Sequence, residues 1–398
     1  MTMPPKNRKC KTFVLYLFAI ALMLIPVKAQ EFDFALGGYG RYLFSSIKTS
    51  AGKERRFDHL LHFRLNSGFY AGNNISAALE LRSRTFWGNS LTSDPAFAQN
   101  VAEVNYPLDN LDAYLWENDQ SLSYLQIDRL LTSYDNDNWQ LTLGRQRIAW
   151  GTSLVWNVID VFNPKNVLDI DYTENPGADA LRWQYFLGPL SQLDIAWKPG
   201  NSRKEDILGL SYSFNNADFD YFLLTGIFQE KAYAGAAFSG QLYDGGFRGE
   251  LMVRAMPGIT DSLIFKHQGA EYITSLSASY DYTFPNSLYL HFEFLYNNIG
   301  ETDNIAAFQP ASIALNLLSP GRYSAFVEIA YDITPLVRID SFFMANPFDG
   351  SFLIFPFVTY SLSDNADLLI LTSLTSGAEN TEFNQYDEYF LTRLSYSF

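Results

Sequence analysis

Tyr389-Phe390-Leu391-Thr392-Arg393-Leu394-Ser395-Tyr396-Ser397-Phe398 ends the chain. In an extended strand, Phe390, Thr392, Leu394, Tyr396 and Phe398 share one face, and Leu391, Arg393, Ser395 and Ser397 share the other. Successive side chains of a strand point to opposite sides, so this alternation marks a strand with one apolar face and one wetter face. The apolar face is largely aromatic and includes the terminal residue itself.

The same period recurs upstream. Strands are expected near 34–44, 57–71, 75–87, 122–134, 139–147, 180–187, 190–198, 206–214, 217–228, 232–241, 247–257, 271–284, 287–297, 322–332, 335–346, 350–362, 366–375 and 387–398. Within 75–87, Ile75, Ala77, Leu79 and Leu81 oppose Glu80, Arg82 and Arg84. Within 287–297, Leu288, Leu290, Phe292, Phe294 and Tyr296 oppose Tyr289, His291 and Glu293. Tight-turn signals sit at Gly72-Asn73-Asn74, Asn136-Asp137-Asn138, Gly188-Pro189, Asn215-Asn216, Asp244-Gly245-Gly246, Pro285-Asn286, Thr334-Pro335 and Asp364-Asn365. Each joins an even-numbered strand to the next odd one, while the longer connections fall in the opposite set, with 229–231 and 347–349 as short exceptions. Short turns at one end and longer loops at the other are the pattern of a membrane barrel with an even strand count. A soluble sandwich would show polar outward faces. Here large apolar residues persist on one face of nearly every strand, and no third layer of sequence can cover them. The expected fold is all-β: a transmembrane antiparallel β-barrel of about eighteen strands, sixteen to twenty being compatible, with Phe398 pairing against the strand near 34–44.

Composition fits that reading. Lys6, Arg8, Lys9 and Lys11 precede an apolar run from Phe13 to Ile25, and Val27-Lys28-Ala29 reads as a small-x-small cleavage site. Residues 1–29 are therefore expected to be a cleaved secretory signal peptide, and 30–398 a single barrel domain. The one cysteine, Cys10, precedes the apolar run, so the processed chain has neither disulfide nor thiol chemistry. Processing reduces 28 basic residues to 23 against 43 acidic ones, a net charge of −20. Such a balance argues against nucleic acid and is compatible with an outer leaflet of lipopolysaccharide bridged by divalent cations.

The most distinctive stretch is Gly144-Arg145-Gln146-Arg147-Ile148-Ala149-Trp150-Gly151, followed by Trp156-Asn157, Asp160-Val161-Phe162-Asn163-Pro164 and Gly177-Ala178-Asp179-Ala180-Leu181-Arg182. It resembles a group of porin-like outer-membrane proteins, mostly of unassigned function, that carry a G-R-Q-x-x-x-W-G … D-x-F-N-P motif. More remotely it is similar to alginate-export-type barrels. The resemblance implies a passive porin or an exporter in the bacterial outer membrane. The terminal strand resembles the signal read by the barrel-assembly machinery, which implies that role for Leu394, Tyr396 and Phe398.

The connection 148–179 is apolar for a loop, with Leu154, Val155, Trp156, Val158, Ile159, Val161 and Phe162. Freely exposed, it would form a sticky patch. It either folds inward as a constriction, with Trp150, Trp156, Asp160, Phe162 and Asn163 as candidates, or packs over the rim. Strand parity also leaves Arg145 and Arg147 outward, as it does Arg129; either a bulge at Gly144 switches the face or these residues lie above the hydrocarbon.

Parity places Arg41, Arg64, Glu80, Arg82, Arg84, Arg182, Arg248, Glu250, Arg254, Glu293, Arg322, Glu328, Arg338 and Arg393 inside. About eighteen strands enclose an aqueous channel, and charges of both signs in it would set a transverse field or simply pair and solvate the wall. Loops 88–120 and 148–179 are acidic and read as solvated surface. No phosphate loop, dinucleotide fingerprint, metal spacing or nucleophile motif appears; His59 and His62 fall on opposite faces of one strand. No enzyme activity, cofactor or metal is expected. The expected function is passive or substrate-selective diffusion of small hydrophilic solutes, with membrane lipid, lipopolysaccharide and the assembly machinery as partners and homo-oligomers compatible. The alternatives are an exporter of a surface polysaccharide, a lipid-hydrolysing barrel enzyme with an outward serine–histidine pair, and a plugged structural barrel.

Overall fold

The computed structural model describes residues 32–49, 55–94, 97, 111–163, 171, 174, 177–256 and 270–398. The signal peptide and residues 103 and 109 of the acidic loop lie outside them. The described residues form a closed barrel of eighteen antiparallel strands. In chain order the first nine are β1 (Phe32–Lys48), β2 (Arg55–Ala71), β3 (Ile75–Gly88), β4 (Ser121–Asn136), β5 (Trp139–Gln146), β6 (Ala178–Gly188), β7 (Ser191–Lys198), β8 (Ile207–Asn216) and β9 (Phe219–Phe228). The second nine are β10 (Lys231–Leu242), β11 (Gly245–Ala255), β12 (Tyr272–Thr283), β13 (Leu288–Asn297), β14 (Tyr323–Thr334), β15 (Val337–Ala345), β16 (Phe352–Ser363), β17 (Ala366–Thr372) and β18 (Glu388–Ser397). Each pairs with its neighbours in sequence, and β18 returns to β1 with Tyr39 opposite Ser397 and Lys48 opposite Glu388. Closure leaves none of the eighteen strands as a sheet edge.

The terminal residue completes this seam. Gly38 donates its N–H to the Phe398 carbonyl at 3.1 Å, and Phe398 donates back to Gly38 at 3.0 Å. The Phe398 ring stacks on Phe63 with centroids 6.0 Å apart, reaching across β1. A Cβ at position 38 would collide with the Arg64 carbonyl and lie against this ring, so glycine is what lets the ring cross.

Alternation sorts the faces as the strand patterns require. Leu61, Phe63, Phe292, Phe294, Ile329, Leu394 and Tyr396 stand exposed on the outer face, while Arg64, Arg82, Asp194, Glu250, His291 and Glu293 are buried on the inner one. Two hairpin turns sit one or two residues from their strongest local signals. The turn expected at Asn215-Asn216 is made by Ala217 and Asp218, both with positive φ, and that at Asp244-Gly245-Gly246 by Tyr243 and Asp244. Cross-strand pairing decides the position: Phe214 and Tyr221 are register partners whose outward rings stack at 5.3 Å.

Three short pieces were not anticipated, and the strand expected at 366–375 is interrupted. Asp112–Glu117 pairs with β4, and Leu374–Ser376 continues β17 after a break at Ser373. Helix α1 spans Asn89–Ser93, and helix α2, Ile305–Ala314, lies in the connection between β13 and β14. α2 contains Pro310 and has almost no amphipathic pattern, so the strand period gave no hint of it. Arg254 of β11 holds the C-terminal end of this helix, donating to the Leu315 carbonyl and to Gln229, which donates to the Ala314 carbonyl at 3.3 Å.

Candidate functional site within the barrel lumen

The parity conflict around Gly144 resolves into two separate devices. In β4 the register against β3 slips between Glu80, opposite Arg129, and Leu81, opposite Ile127, which makes Asp128 the extra residue of a bulge. That bulge turns Arg129 inward, opposite Glu80. β5 keeps its register, with Leu130 opposite Arg145 and Leu131 opposite Gly144. There the change comes from Gly144 itself, whose φ of 116° only glycine adopts readily, and where a Cβ would collide with the Leu130 carbonyl. Arg145 is fully buried rather than outward. It donates to both carboxylate oxygens of Asp179, at 2.8 and 2.9 Å, and to the Ile127 carbonyl at 2.8 Å. Arg147, one residue past the strand, is exposed.

The motif residues are thus contacts of one another. Gln146 donates to the Ala180 carbonyl at 3.0 Å and to Thr142 at 3.2 Å. Asn163 accepts from the Ile148 N–H at 2.8 Å and donates its own N–H to Asp160 at 3.0 Å. A Cβ on Gly177 would crowd the Arg145 side chain, and one on Gly151 would collide with the Asn157 amide. Together these contacts turn the chain off the end of β5 and into the barrel.

Inside, the loop 148–163 spans two walls. Ile148, Trp150, Ile159, Val161 and Phe162 pack on Ala180, Ala196, Ile207, Leu224, Tyr233 and Met252 of β6 to β11. Val155 and Trp156 pack on Leu295, Phe326, Met344, Leu353 and Phe355 of β13 to β16. Trp150, Trp156, Asp160, Phe162 and Asn163 are all buried. A loop lodged among apolar walls must still satisfy its backbone N–H groups, and two wall carboxylates do so. Glu250 accepts from the N–H of Thr152, of Ser153 at 2.7 Å and of Ile159 at 3.3 Å. Glu293 accepts from Leu154, Val155 and Trp156 at 3.3, 3.1 and 2.5 Å. Asp194 accepts the Trp150 indole N–H at 2.9 Å while paired with Arg182. Burial raises the Asp160 carboxyl to about 7, against the backbone N–H of Asn163, which favours its ionised form.

The remaining charged side chains named from parity divide between two arcs. On β18 to β3, Arg393, Arg41, Arg64, Arg82 and Arg84 stand on neighbouring inner positions. Arg41, His62 and Arg84 occupy one cross-strand row, with Tyr39, Arg64 and Arg82 in the next. Arg64 pairs with Glu80 and, at 2.6 Å, with Asp128. Arg84 lies over the Tyr124 ring at 4.8 Å. Two acidic loop residues expected to be solvated instead turn onto this basic arc: Asp171 contacts His62 at 2.8 Å, and Glu174 accepts from Tyr39 at 3.1 Å. The basic side chains supply a better partner than bulk water once the loop enters the barrel. On the other arc, His291 lies between Glu293 and Glu328 at 3.4 and 3.5 Å, Arg248 pairs with Asp281, and Arg338 reaches Asp332 and Asp340 at 3.3 and 3.5 Å. Arg322 donates to the Gly300 carbonyl at 3.1 Å. Among the described residues no cluster of three or more histidine, cysteine or acidic side chains has metal-binding geometry.

Sequence reasoning found Glu250 and Glu293 as inner charges but not their bond to the loop, because partners some 90 to 140 residues away carry no local signal. It also missed the wall formed by α2 and Glu382.

No protein-family model and no curated protein matches the sequence. Solved structures do match the fold. OccAB2 of Acinetobacter baumannii aligns with a TM-score of 0.57 and 9% identity over 92% of this chain and 98% of its own. OccK8 (OprE) of Pseudomonas aeruginosa gives 0.54 and 9% over 92% and 98%, and OccAB1 of A. baumannii 0.53 and 12% over 92% and 96%. At these identities the likeness establishes a shared barrel architecture along nearly the whole of each chain.

Proposed function

We propose that this chain is a channel of the bacterial outer membrane through which small hydrophilic solutes diffuse, its lumen narrowed by the loop 148–163. The carrying observation is the fixed placement of that loop inside an eighteen-stranded barrel, pinned by Glu250, Glu293 and Asp194. An outer face of exposed aromatic and aliphatic residues suits hydrocarbon, and a charged inner face suits water. The basic arc from Arg393 to Arg84 and the acidic groups on the other arc set a transverse field, which selects solutes by charge. In this reading Leu394, Tyr396 and Phe398 serve as the assembly signal, and lipopolysaccharide surrounds the acidic mouth.

Reconstitution of the folded protein in a planar bilayer tests the proposal. Stepwise conductance is expected. A Glu250→Leu/Glu293→Leu double variant leaves the loop amides without acceptors and should raise the unit conductance severalfold. A folded barrel with no conductance steps sinks the channel. Steps whose size the double variant leaves unchanged remove the loop from the constriction.

A further inference from the structure

A cavity of about 560 Å³ opens between the inward loop, α2 and the connection 377–387, and no part of the loop anchoring explains it. Its volume is in the range of small-molecule sites, about 300–1,000 Å³. Its body is aromatic. Trp156 comes from the inward loop, Phe355 and Tyr389 from β16 and β18, and Phe383 and Tyr386 from the connection. The rings brace one another: Phe355 lies 5.7 Å from Tyr389, and Phe383 5.9 Å from Tyr386.

The polar part of the lining is one-sided. Gln309 and Ser312 face it from α2, Ser319 from the segment after α2, and Glu382, Gln385 and Asp387 from the connection, while among the described residues no lysine, arginine or histidine lines it. Ser312 spends its hydroxyl proton on the Gln309 carbonyl at 2.8 Å. Glu382 accepts from Ser319 and from Asn346, both at 2.8 Å. Gln309 Oε1 is buried and has no hydrogen-bond partner among the described residues. A buried acceptor without a donor is costly, and a ligand that brings the donor removes that cost. Among the described lining residues an anionic head would meet two carboxyl groups and no cationic side chain. A hydrogen-bond-donating head would meet Gln309, with aromatic faces beside it that also favour a cation.

Deepening the channel reading on which it rests, we propose that this cavity is a solute-binding site for compounds with an apolar ring and a hydrogen-bond-donating head, amine or hydroxyl, and that it discriminates against carboxylates. The test measures binding to the folded full-length barrel in detergent by calorimetry, without requiring conduction. Three probes share one ring and differ in the head: phenethylamine, 2-phenylethanol and phenylacetate. Phenethylamine and 2-phenylethanol are expected to bind at least tenfold more tightly than phenylacetate. Trp156→Ala and Gln309→Leu should each weaken the two donors at least fivefold. Gln309→Leu should at the same time raise the thermal midpoint, since it removes an unpartnered buried acceptor; a merely structural glutamine would not separate the two effects. Trp156→Phe should restore most of the binding lost in Trp156→Ala, with folding of each variant checked by unheated gel mobility. Phenylacetate binding as tightly as phenethylamine, or dissociation constants that both substitutions leave within twofold, overturns the site. Binding here with no conductance in a bilayer would overturn the channel and leave the site standing; conductance with no binding would do the reverse.

Discussion

At the residue scale, two positions carry more than their share of the architecture. Gly144 holds a backbone conformation that places a side chain against its neighbour strand, so Gly144→Ala is expected to cost about 1–3 kcal/mol through backbone strain alone. Chemical denaturation of the refolded barrel checks it, and an unchanged midpoint would show that the strand re-forms without the left-handed residue. Arg145→Met takes away the bidentate partner of the buried Asp179; breaking such a pair costs about 3–5 kcal/mol. The same assay reads it, and the Arg145→Met/Asp179→Leu pair should recover most of the loss. Phe398 belongs to this scale too. Its two backbone bonds to Gly38 and its ring on Phe63 make the terminal residue part of the closing seam. Deleting it should lower the yield of folded barrel at least severalfold, while barrels that do assemble keep their conductance.

Elements behave as cooperative pieces when buried charges latch them, and the connection 377–387 is latched at Glu382. Its carboxyl accepts hydrogen bonds from Ser319 and Asn346, and its own N–H donates to Asp349 at 2.8 Å. Burial pushes this carboxyl up to about 7 from its ordinary 4.5, outweighing the two hydrogen bonds that favour the ionised form. A raised acid keeps its proton in the folded state after the unfolded chain has lost it. The stability it contributes is therefore full below about 4.5 and declines as pH rises to about 7, then levels off. Amide hydrogen exchange at Glu382 and Phe383 should accelerate between pH 5 and pH 7.5 beyond the intrinsic base-catalysed rise. In Glu382→Gln that excess should vanish, and an excess that persists would place the titration elsewhere.

For the whole molecule the decisive fact is closure. Only one of the eighteen strand pairs joins residues far apart in sequence, and it brings the first and last strands together. The sole cysteine of the sequence is Cys10, ahead of the barrel, so an introduced pair reads cleanly. Tyr39 and Ser397 are register partners next to the hydrogen-bonded pair of Gly38 and Phe398, which makes theirs the closely approached kind of pair. Tyr39→Cys/Ser397→Cys should cross-link on oxidation and change the mobility of the boiled protein, with neither single variant doing so. No cross-link in folded protein would contradict this register.

The sequence by itself determined the barrel, its strand number to within two, the inward and outward faces of most strands and the pairing of Phe398 with β1. Each is local or periodic information: a side-chain period of two, turns between strands, and an apolar face with nothing in the chain to cover it. It also singled out the motif at 144–182 without saying what those residues do for one another. Only the tertiary structure decided that, because Arg145 meets Asp179 across a strand pair and Glu250 and Glu293 meet the loop across the lumen. It likewise decided that the loop enters the barrel, that Asp171 and Glu174 turn from solvent to the basic arc, and that α2 and Glu382 bound a cavity. These outcomes depend on which buried polar groups find partners when distant segments pack, and no strand period encodes that choice.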